Sequence, residues 1–345
     1  MPDDSFGEYG YRPPMRLQDA LAGCNRVFLT AHLDPDPDGL GSVMGLFHVL
    51  KKEGWNAVPV CVGRLHSFAV SLPGIEDVVK FPSRINGRPP QPIMSAGDAL
   101  IVCDTPVVSR MAAFYDVHQT ILAEGPLINI DHHVTNQAFG THNFVNPKAG
   151  ASAEVICDIL DASDMSLNAD SAKCLMTALV ADTQGFRTEN TSPHSLALAQ
   201  RLWEAGAPMF PVAQLIFSSR PISFLRLWGA AMDNMGAEDG IVWASVTERM
   251  LENTGATMEE SEGLVDFLLN CREARAAVVF KEQNGETKVS VRTVPGVDAV
   301  HIVSVFGGGG HQRAAGCTIS SDPEHAVKQL IPVARNEIKT GGRRA

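Results

Sequence analysis

The stretch AHLDPDPDGLGS, residues 31–42, brings His32, Asp34, Asp36 and Asp38 together, the aspartates alternating with Pro35 and Pro37. Three more groups of the same chemistry recur along the chain. Asp104 follows the apolar run ALIVC, Asp131, His132 and His133 follow LINI, and Asp182 ends the apolar helix-like run CLMTALVA. Taken singly, each has an ordinary reading: Asp-Pro alternation as a solvated turn, a lone Asp after a strand as a cap, a His pair as structural. Their recurrence at comparable places in an α/β pattern argues otherwise. Four carboxylates gathered at one sheet edge repel unless cations sit among them, because each close like-charged pair costs energy or forces protonation. Aspartate oxygens with imidazole nitrogens suit Mn²⁺, with Mg²⁺ the alternative. Four carboxylates and two or more imidazoles are enough for two ions, and two ions about 3.5–4 Å apart can clamp a bridging hydroxide and a phosphoryl oxygen.

The set HLDPDPDGLGS, VCDTP, NIDHHVTN and VADTQGFRT resembles the DHH phosphoesterase superfamily, over roughly residues 20–320. The resemblance implies that His32, Asp36 and Asp104 hold one metal. It implies that Asp38, Asp104, His132 and Asp182 hold the other, with Asp104 bridging. His133 would touch the scissile phosphate or the leaving oxygen, and Asp131 would orient an imidazole. Asp34 lies outside the family spacing and is not carried over as a ligand. Arg110, in DTPVVSRM, and Asn136, in DHHVTN, fall where relatives keep polar groups and are candidates for substrate contact.

A further segment, FGGGGHQRAAGC, follows VSVRT and resembles the substrate-binding domain that accompanies DHH in nanoRNases. A glycine run lets backbone N–H groups approach a phosphate, so Gly308, Gly309, Gly310 and His311 form a candidate phosphate loop. Arg292 on the neighbouring strand could pin the same phosphate with two bonds.

The elements that must position these groups are legible in outline. VFLTA, AVPVCVG, DALIVCDT and PLINIDHH read as strands. GLGSVMGLFHVLKKEG, ASAEVICDILDAS and NADSAKCLMTALVADTQ read as helices, the first ended by Gly54. The alternation predicts an α/β fold with a mostly parallel N-terminal sheet flanked by helices. Residues 191–235 read as a helical linker, with Ser192 as N-cap and Pro193 in the first turn. GIVWASVT, AAVVFKE and TKVSVRTV then read as strands of a smaller C-terminal α/β domain, with a hairpin turn at Asn284–Gly285 and a closing helix near 323–338. The domains expected are a catalytic domain at 1–190, the linker at 191–235 and a substrate-binding domain at 236–345. The N-terminal segment MPDDSFGEYGYRPPMR has no apolar signal core, and the final TGGRRA reads as frayed.

Composition narrows the partners. With 28 Lys and Arg against 39 Asp and Glu, the net charge is −11. Such a chain lacks the basic groove that long nucleic acid requires. The seven cysteines include no CxxC pair, which fits a reducing compartment and a cytoplasmic location. No run of about 18 apolar residues predicts a membrane span. A homodimer is common among relatives and is an expected assembly.

The expected function is metal-dependent hydrolysis of short oligoribonucleotides, linear dinucleotides such as pApA, or 3′-phosphoadenosine 5′-phosphate, through a hydroxide bridging two metals. Two alternatives stand beside it: an inorganic pyrophosphatase or polyphosphatase, against which the GGGGH segment speaks, and a nucleotide sensor that binds without cleaving.

Overall fold

The computed structural model describes residues 11–85, 88–218 and 220–341. The first ten residues, and all but the first two of TGGRRA, lie outside the described residues. The chain divides into two units, Met1–Ser219 and Arg220–Ala345.

The first unit is built on β1 (Val27–Thr30), β2 (Ala57–Val62), β3 (Val79–Phe81), β4 (Ala99–Cys103), β5 (Leu127–Asp131) and β6 (His142–Val145). All pair in parallel, in the order β3-β2-β1-β4-β5-β6. Its helices are α1 (Leu17–Ala20), α2 (Pro37–Lys52), α3 (Ala113–Leu122), α4 (Ser152–Ala162), α5 (Ala169–Asp182), α6 (Pro193–Glu204) and α7 (Met209–Phe217). Both sheet faces are covered, which is why the central strands read as unbroken apolar runs. Val27, Leu29, Ile101 and Cys103 point into the core shared with α2, α4 and α5. Phe28, Leu100 and Val102 point the other way, to Phe114 and Leu122 of α3. The strand order reverses direction between β1 and β4. In an open parallel sheet, the crevice at that switch, beyond the carboxyl ends of the strands, is where ligands bind.

One helix contact fixes what stands in that crevice. α2 and α5 pack together along Gly41 and Gly45, four residues apart and so on one helix face. A Cβ on Gly41 would lie 2.7 Å from the Cys174 carbonyl oxygen, and one on Gly45 would lie 2.5 Å from Leu175 Cγ. Only glycine allows this approach. α2 begins beside Asp38 and α5 ends at Asp182, so the same contact helps bring these two carboxylates to one place.

The second unit holds α8 (Ile222–Asp233), β7 (Gly236–Glu238), β8 (Ile241–Val246), α9 (Glu248–Thr254), α10 (Leu264–Leu269), β9 (Ala276–Gln283), β10 (Glu286–Thr293), α11 (Ala299–Ser304), β11 (Gly309–His311), β12 (Ala314–Ile319) and α12 (Pro323–Gly341). Its sheet runs β11-β12-β10-β9-β8-β7. Only β8 and β9 pair in parallel. The β9–β10 hairpin turns at Asn284 and Gly285, both left-handed with φ of 55° and 78°, as a two-residue turn of this hand demands.

Residues 191–235, expected as a linker, do not stand apart as one piece. α6 and α7 bury Leu198, Leu202 and Val212 in the first core. α8 buries Leu227 and Ala231 in a core of the second unit. Apolar faces that look alike in sequence are thus shared out to different sheets.

The glycine contact yields a prediction. Gly41→Val forces atoms onto the Cys174 carbonyl, an overpacking that costs about 1–3 kcal/mol. Thermal unfolding should show the first unit melting earlier, and the separation of α2 from α5 should weaken divalent-cation binding. An unchanged melting temperature would contradict the packing account.

Candidate metal and phosphoester site

The local chain explains how each side chain reaches the crevice. After β1 the chain leaves through His32, and Leu33 N–H is held by the Arg110 carbonyl at 2.7 Å. Asp34 turns left-handed, φ 52°, and accepts the Arg64 N–H at 2.7 Å. The unmatched aspartate of the motif is therefore spent on fixing the neighbouring loop. Asp36 is the N-cap of α2, accepting Gly39 N–H at 2.9 Å, with Pro37 in the first turn. Asp38 then falls on the inner side of that turn and is buried. After β4, Asp104 also turns left-handed, φ 52°, a conformation aspartate tolerates better than most residues.

Six of the expected residues converge. His32 Nε2 lies 3.8 Å from Asp36 Oδ2 and 3.7 Å from Asp104 Oδ2. His132 Nε2 lies 3.3 Å from Asp182 Oδ2, 3.6 Å from Asp104 Oδ1 and 3.7 Å from Asp38 Oδ2. The ligand atoms of His32, Asp36 and Asp104 fall within 4.8 Å of one another, as do those of Asp38, His132 and Asp182. Asp104 sits between the two sets, one oxygen toward each. Both imidazoles are anchored through Nδ1, His32 to the Leu33 carbonyl at 2.9 Å and His132 to the Ala149 carbonyl at 3.2 Å. A carbonyl accepts only, so Nδ1 carries a proton and each Nε2 is the ring atom turned to the carboxylates, the atom that would meet a cation.

Crowding among the carboxylates shifts the protonation of the cluster. Burial, then Asp104 and Asp182, push the Asp38 carboxyl well above its ordinary range. Asp182 is pushed up to about 6, first by burial, with the nearby Asp104 adding to it against the pull of His132. Burial alone would lower His132, yet Asp104, Asp38 and Asp182 together raise it to about 10. Each of these shifts favours the protonated, more positive form of the cluster. The donors also suit cations sterically. A divalent ion bound at about 2.1 Å leaves adjacent donors about 3 Å apart, close to the spacings found. Gly39 lies beside these ligands: a Cβ there would press on Ala31 Cβ at 3.1 Å and stand in ordinary contact, at 3.5 Å, with Asp104 Oδ2 and His32 Nε2.

His133 has a different setting. Its Nδ1 bonds to Asp131 Oδ1 at 2.7 Å, and it is partly exposed. Asp131 is fully buried; burial pushes its carboxyl up, but the bonds from His133 and Asn136 prevail and hold it below the usual range. Asn136, expected to face substrate, turns inward instead. Its amide donates to Asp131 and to Asn129 Oδ1, and its oxygen accepts Ala138 N–H at 2.7 Å. Its amide is thus spent on bracing Asp131. Burial pushes the Asp36 carboxyl up, but His32 and the Gly39 N–H hold it below the usual range, with the exposed Arg110 adding a smaller pull.

The second unit carries the remaining expected residues. The glycine run is not an open loop: Gly309–His311 form edge strand β11, paired with β12. Gly307 is left-handed at φ 71°, a Cβ on Gly308 would meet the Gly316 carbonyl at 2.4 Å, and one on Gly310 would meet the Ala314 carbonyl at 2.5 Å. Those three glycines answer to the fold. A Cβ on Gly309 meets nothing within 4 Å. His311 stands opposite Ala314 on β12, and Ala314 opposite Arg292 on β10. Residues directly opposite share a sheet face, so His311 and Arg292 stand on either side of the small Ala314, about 10 Å apart across two strand spacings. Arg292 is already bonded through Nε to Asp266 at 3.0 Å and through Nη1 to the Val291 carbonyl.

Sequence reasoning passed over Ser152, which is fully buried and contacts both Asp38 and Asp104. A serine at the start of a predicted helix carries no local signal for that role.

Comparison with known proteins places this arrangement. The model of the DHH family N-terminal domain matches residues 26–179, and that of the DHHA1 domain matches residues 241–340. The chain is 30% identical over 321 residues to the bifunctional oligoribonuclease and PAP phosphatase NrnA of Thermus thermophilus, spanning 92% of this chain and 91% of that protein. It is 26% identical over 302 residues to the protein of the same name from Bacillus subtilis, spanning 86% and 90%. Among solved structures, an exopolyphosphatase-related protein from Bacteroides fragilis superposes with a TM-score of 0.84 at 20% identity, over 94% of this chain and 96% of that one. With two domain models matched in order and a relative similar along nearly its whole length, the chain belongs to the DHH family of phosphoesterases, and is a hydrolase with a DHHA1 domain behind its DHH domain.

Proposed function

We propose that this enzyme hydrolyses short oligoribonucleotides or linear dinucleotides, and 3′-phosphoadenosine 5′-phosphate, with two divalent cations, Mn²⁺ being the favoured ion. The observation that carries this reading is the cluster itself, in a chain whose relatives, matched over nearly their whole length, are named oligoribonuclease and PAP phosphatase. His32, Asp36 and Asp104 would hold one cation; Asp38, Asp104, His132 and Asp182 would hold the other. Such a pair supplies an activated water and neutralises phosphoryl charge.

The chain's own groups do the rest. Asp131 holds His133 through Nδ1, leaving Nε2 free to meet the phosphate or to give a proton to the leaving oxygen. Asn136 keeps Asp131 in place for that task. Arg110, exposed beside Asp36, offers a guanidinium to the substrate's negative charge. In the second unit, the exposed backbone at Gly309 and the side chains of His311 and Arg292 form a seat for a phosphate. One histidine and one arginine can anchor a single terminal phosphate. The net charge of −11 opposes a grip on a long strand.

The reading is tested by a panel of pApA, pGpG, short RNAs, 3′-phosphoadenosine 5′-phosphate and pyrophosphate, each with Mn²⁺ and with Mg²⁺. Turnover of the dinucleotides and the nucleoside bisphosphate above that of pyrophosphate is expected. Faster hydrolysis of pyrophosphate would make this a pyrophosphatase; saturable binding without product would make it a sensor.

The glycine strand gives a second test. Gly309→Ala should leave the melting temperature unchanged and raise KM for a dinucleotide about tenfold, or about 1.4 kcal/mol of binding. Gly310→Ala, at φ 146° and against the Ala314 carbonyl, should instead lower the melting temperature. Equal KM values for Gly309→Ala and the parent would remove the phosphate seat from the account.

A further inference from the structure

The turn from Ala149 to Ser152 enters α4 beneath the cluster and touches three of its members. The Ala149 carbonyl accepts the Nδ1–H of His132 at 3.2 Å. The Ser152 backbone N–H donates to Asp38 Oδ2 at 2.8 Å, and the Ser152 hydroxyl donates to Asp104 Oδ1 at 3.2 Å. His132 follows β5, Asp38 belongs to α2 and Asp104 follows β4, so one short turn ties together groups from three elements. The turn is itself braced. Asn190 Nδ2 donates to the same Ala149 carbonyl at 3.1 Å, and a Cβ on Gly150 would lie 2.7 Å from Glu154 Oε1.

Asp104 has the most demanding task in the cluster. Its Oδ2 faces His32 and its Oδ1 faces His132, at 3.7 and 3.6 Å. A carboxylate turns easily about its last torsion, whose wells are broad. The left-handed backbone at Asp104 directs the side chain into the crevice but does not set that final angle. Asp104 Oδ1 also stands 3.5 Å from His133 Nδ1, whose closer partner is Asp131 at 2.7 Å, and a neutral donor to that oxygen is the Ser152 hydroxyl. Its single proton marks Oδ1 and leaves Oδ2 for the other donor set. The hydroxyl is fully buried, so water does not compete for the bond.

We propose that Ser152 is a positioning residue: its hydroxyl fixes the rotation of Asp104 so that one oxygen addresses each cation seat, which makes the carboxylate a bridge. This rests on the two-cation reading given above. Removing the hydroxyl should not abolish either seat, since His32 and Asp36, or Asp38, His132 and Asp182, remain. It should uncouple the two. The first ion should bind nearly as before and the second should bind more weakly.

The test uses the full chain titrated with Mn²⁺, followed by calorimetry and by electron paramagnetic resonance, with the melting temperature of the metal-free protein as a control. The parent should take two ions and show a spin-coupled signal when both are bound. Ser152→Ala keeps the backbone bond to Asp38. It should melt like the parent, bind its second ion about tenfold more weakly, the order seen when a partner of a metal ligand is lost, and show an uncoupled signal near one equivalent. Ser152→Cys, which fills the space with a much weaker donor, should show the same selective loss. Two ions bound by Ser152→Ala with parental affinities and a coupled signal would overturn the proposal. So would an equal loss at both seats that follows a fall in melting temperature. If the parent itself binds no pair of ions, the two-cation reading falls, and this proposal with it.

Discussion

Asp38 and Asp104 are buried carboxylates that face the same imidazole nitrogen at 3.7 and 3.6 Å, with Asp36 and Asp182 close by. Two like charges 4 Å apart repel by about 1 kcal/mol in water and about 4 kcal/mol at the lower effective dielectric of a protein. Left to itself, the cluster answers by gathering protons: His132 rises to about 10 and Asp182 to about 6. Both shifts favour the more positive form of the cluster. Histidines anchored through Nδ1 to backbone carbonyls, with Nε2 turned inward among the carboxylates, are the features expected if cations supply that positive charge.

Much of the first unit can be understood as the means of imposing this repulsion. Parallel strands covered on both faces leave one edge free for polar groups, and the switch between β1 and β4 opens a crevice there. The glycine face of α2 draws α5 in until Asp182 meets His132. Left-handed turns at Asp34 and Asp104 aim the chain at the moment it leaves a strand. Core packing and backbone conformation together hold an arrangement that side-chain electrostatics alone would disperse.

The parts of this design that were legible in the sequence are those written locally. His32, Asp36, Asp104 and the Asp131–His133 triplet each follow an apolar run that can only be a buried strand, so residue type and position point the same way. Asp182 was legible because a long apolar helix ends on it. The rest depends on contacts between distant segments. Nothing near Ser152 announces that its hydroxyl meets a carboxylate 48 residues away. Asn136 looks like a substrate contact until the buried Asn129 and Asp131 are seen to use its amide. Gly41 and Gly45 read as weak helix residues until α5 is laid against them. The GGGGH segment, read as a loop, forms an edge strand because β12 offers it a partner and because glycine permits the close approach at Gly308 and Gly310. The helices of 191–235 divide between two cores for the same reason: amphipathic pattern shows that a face is buried, not against which sheet.

The claim at the centre is the proposal that these carboxylates, crowded together by the fold, are seats for a pair of cations. Crystals soaked in Mn²⁺ and measured at the manganese absorption edge test it directly. The account predicts two anomalous peaks, one among His32, Asp36 and Asp104 and one among Asp38, Asp104, His132 and Asp182. A map without peaks beside these side chains, in crystals that take up manganese elsewhere, would contradict it.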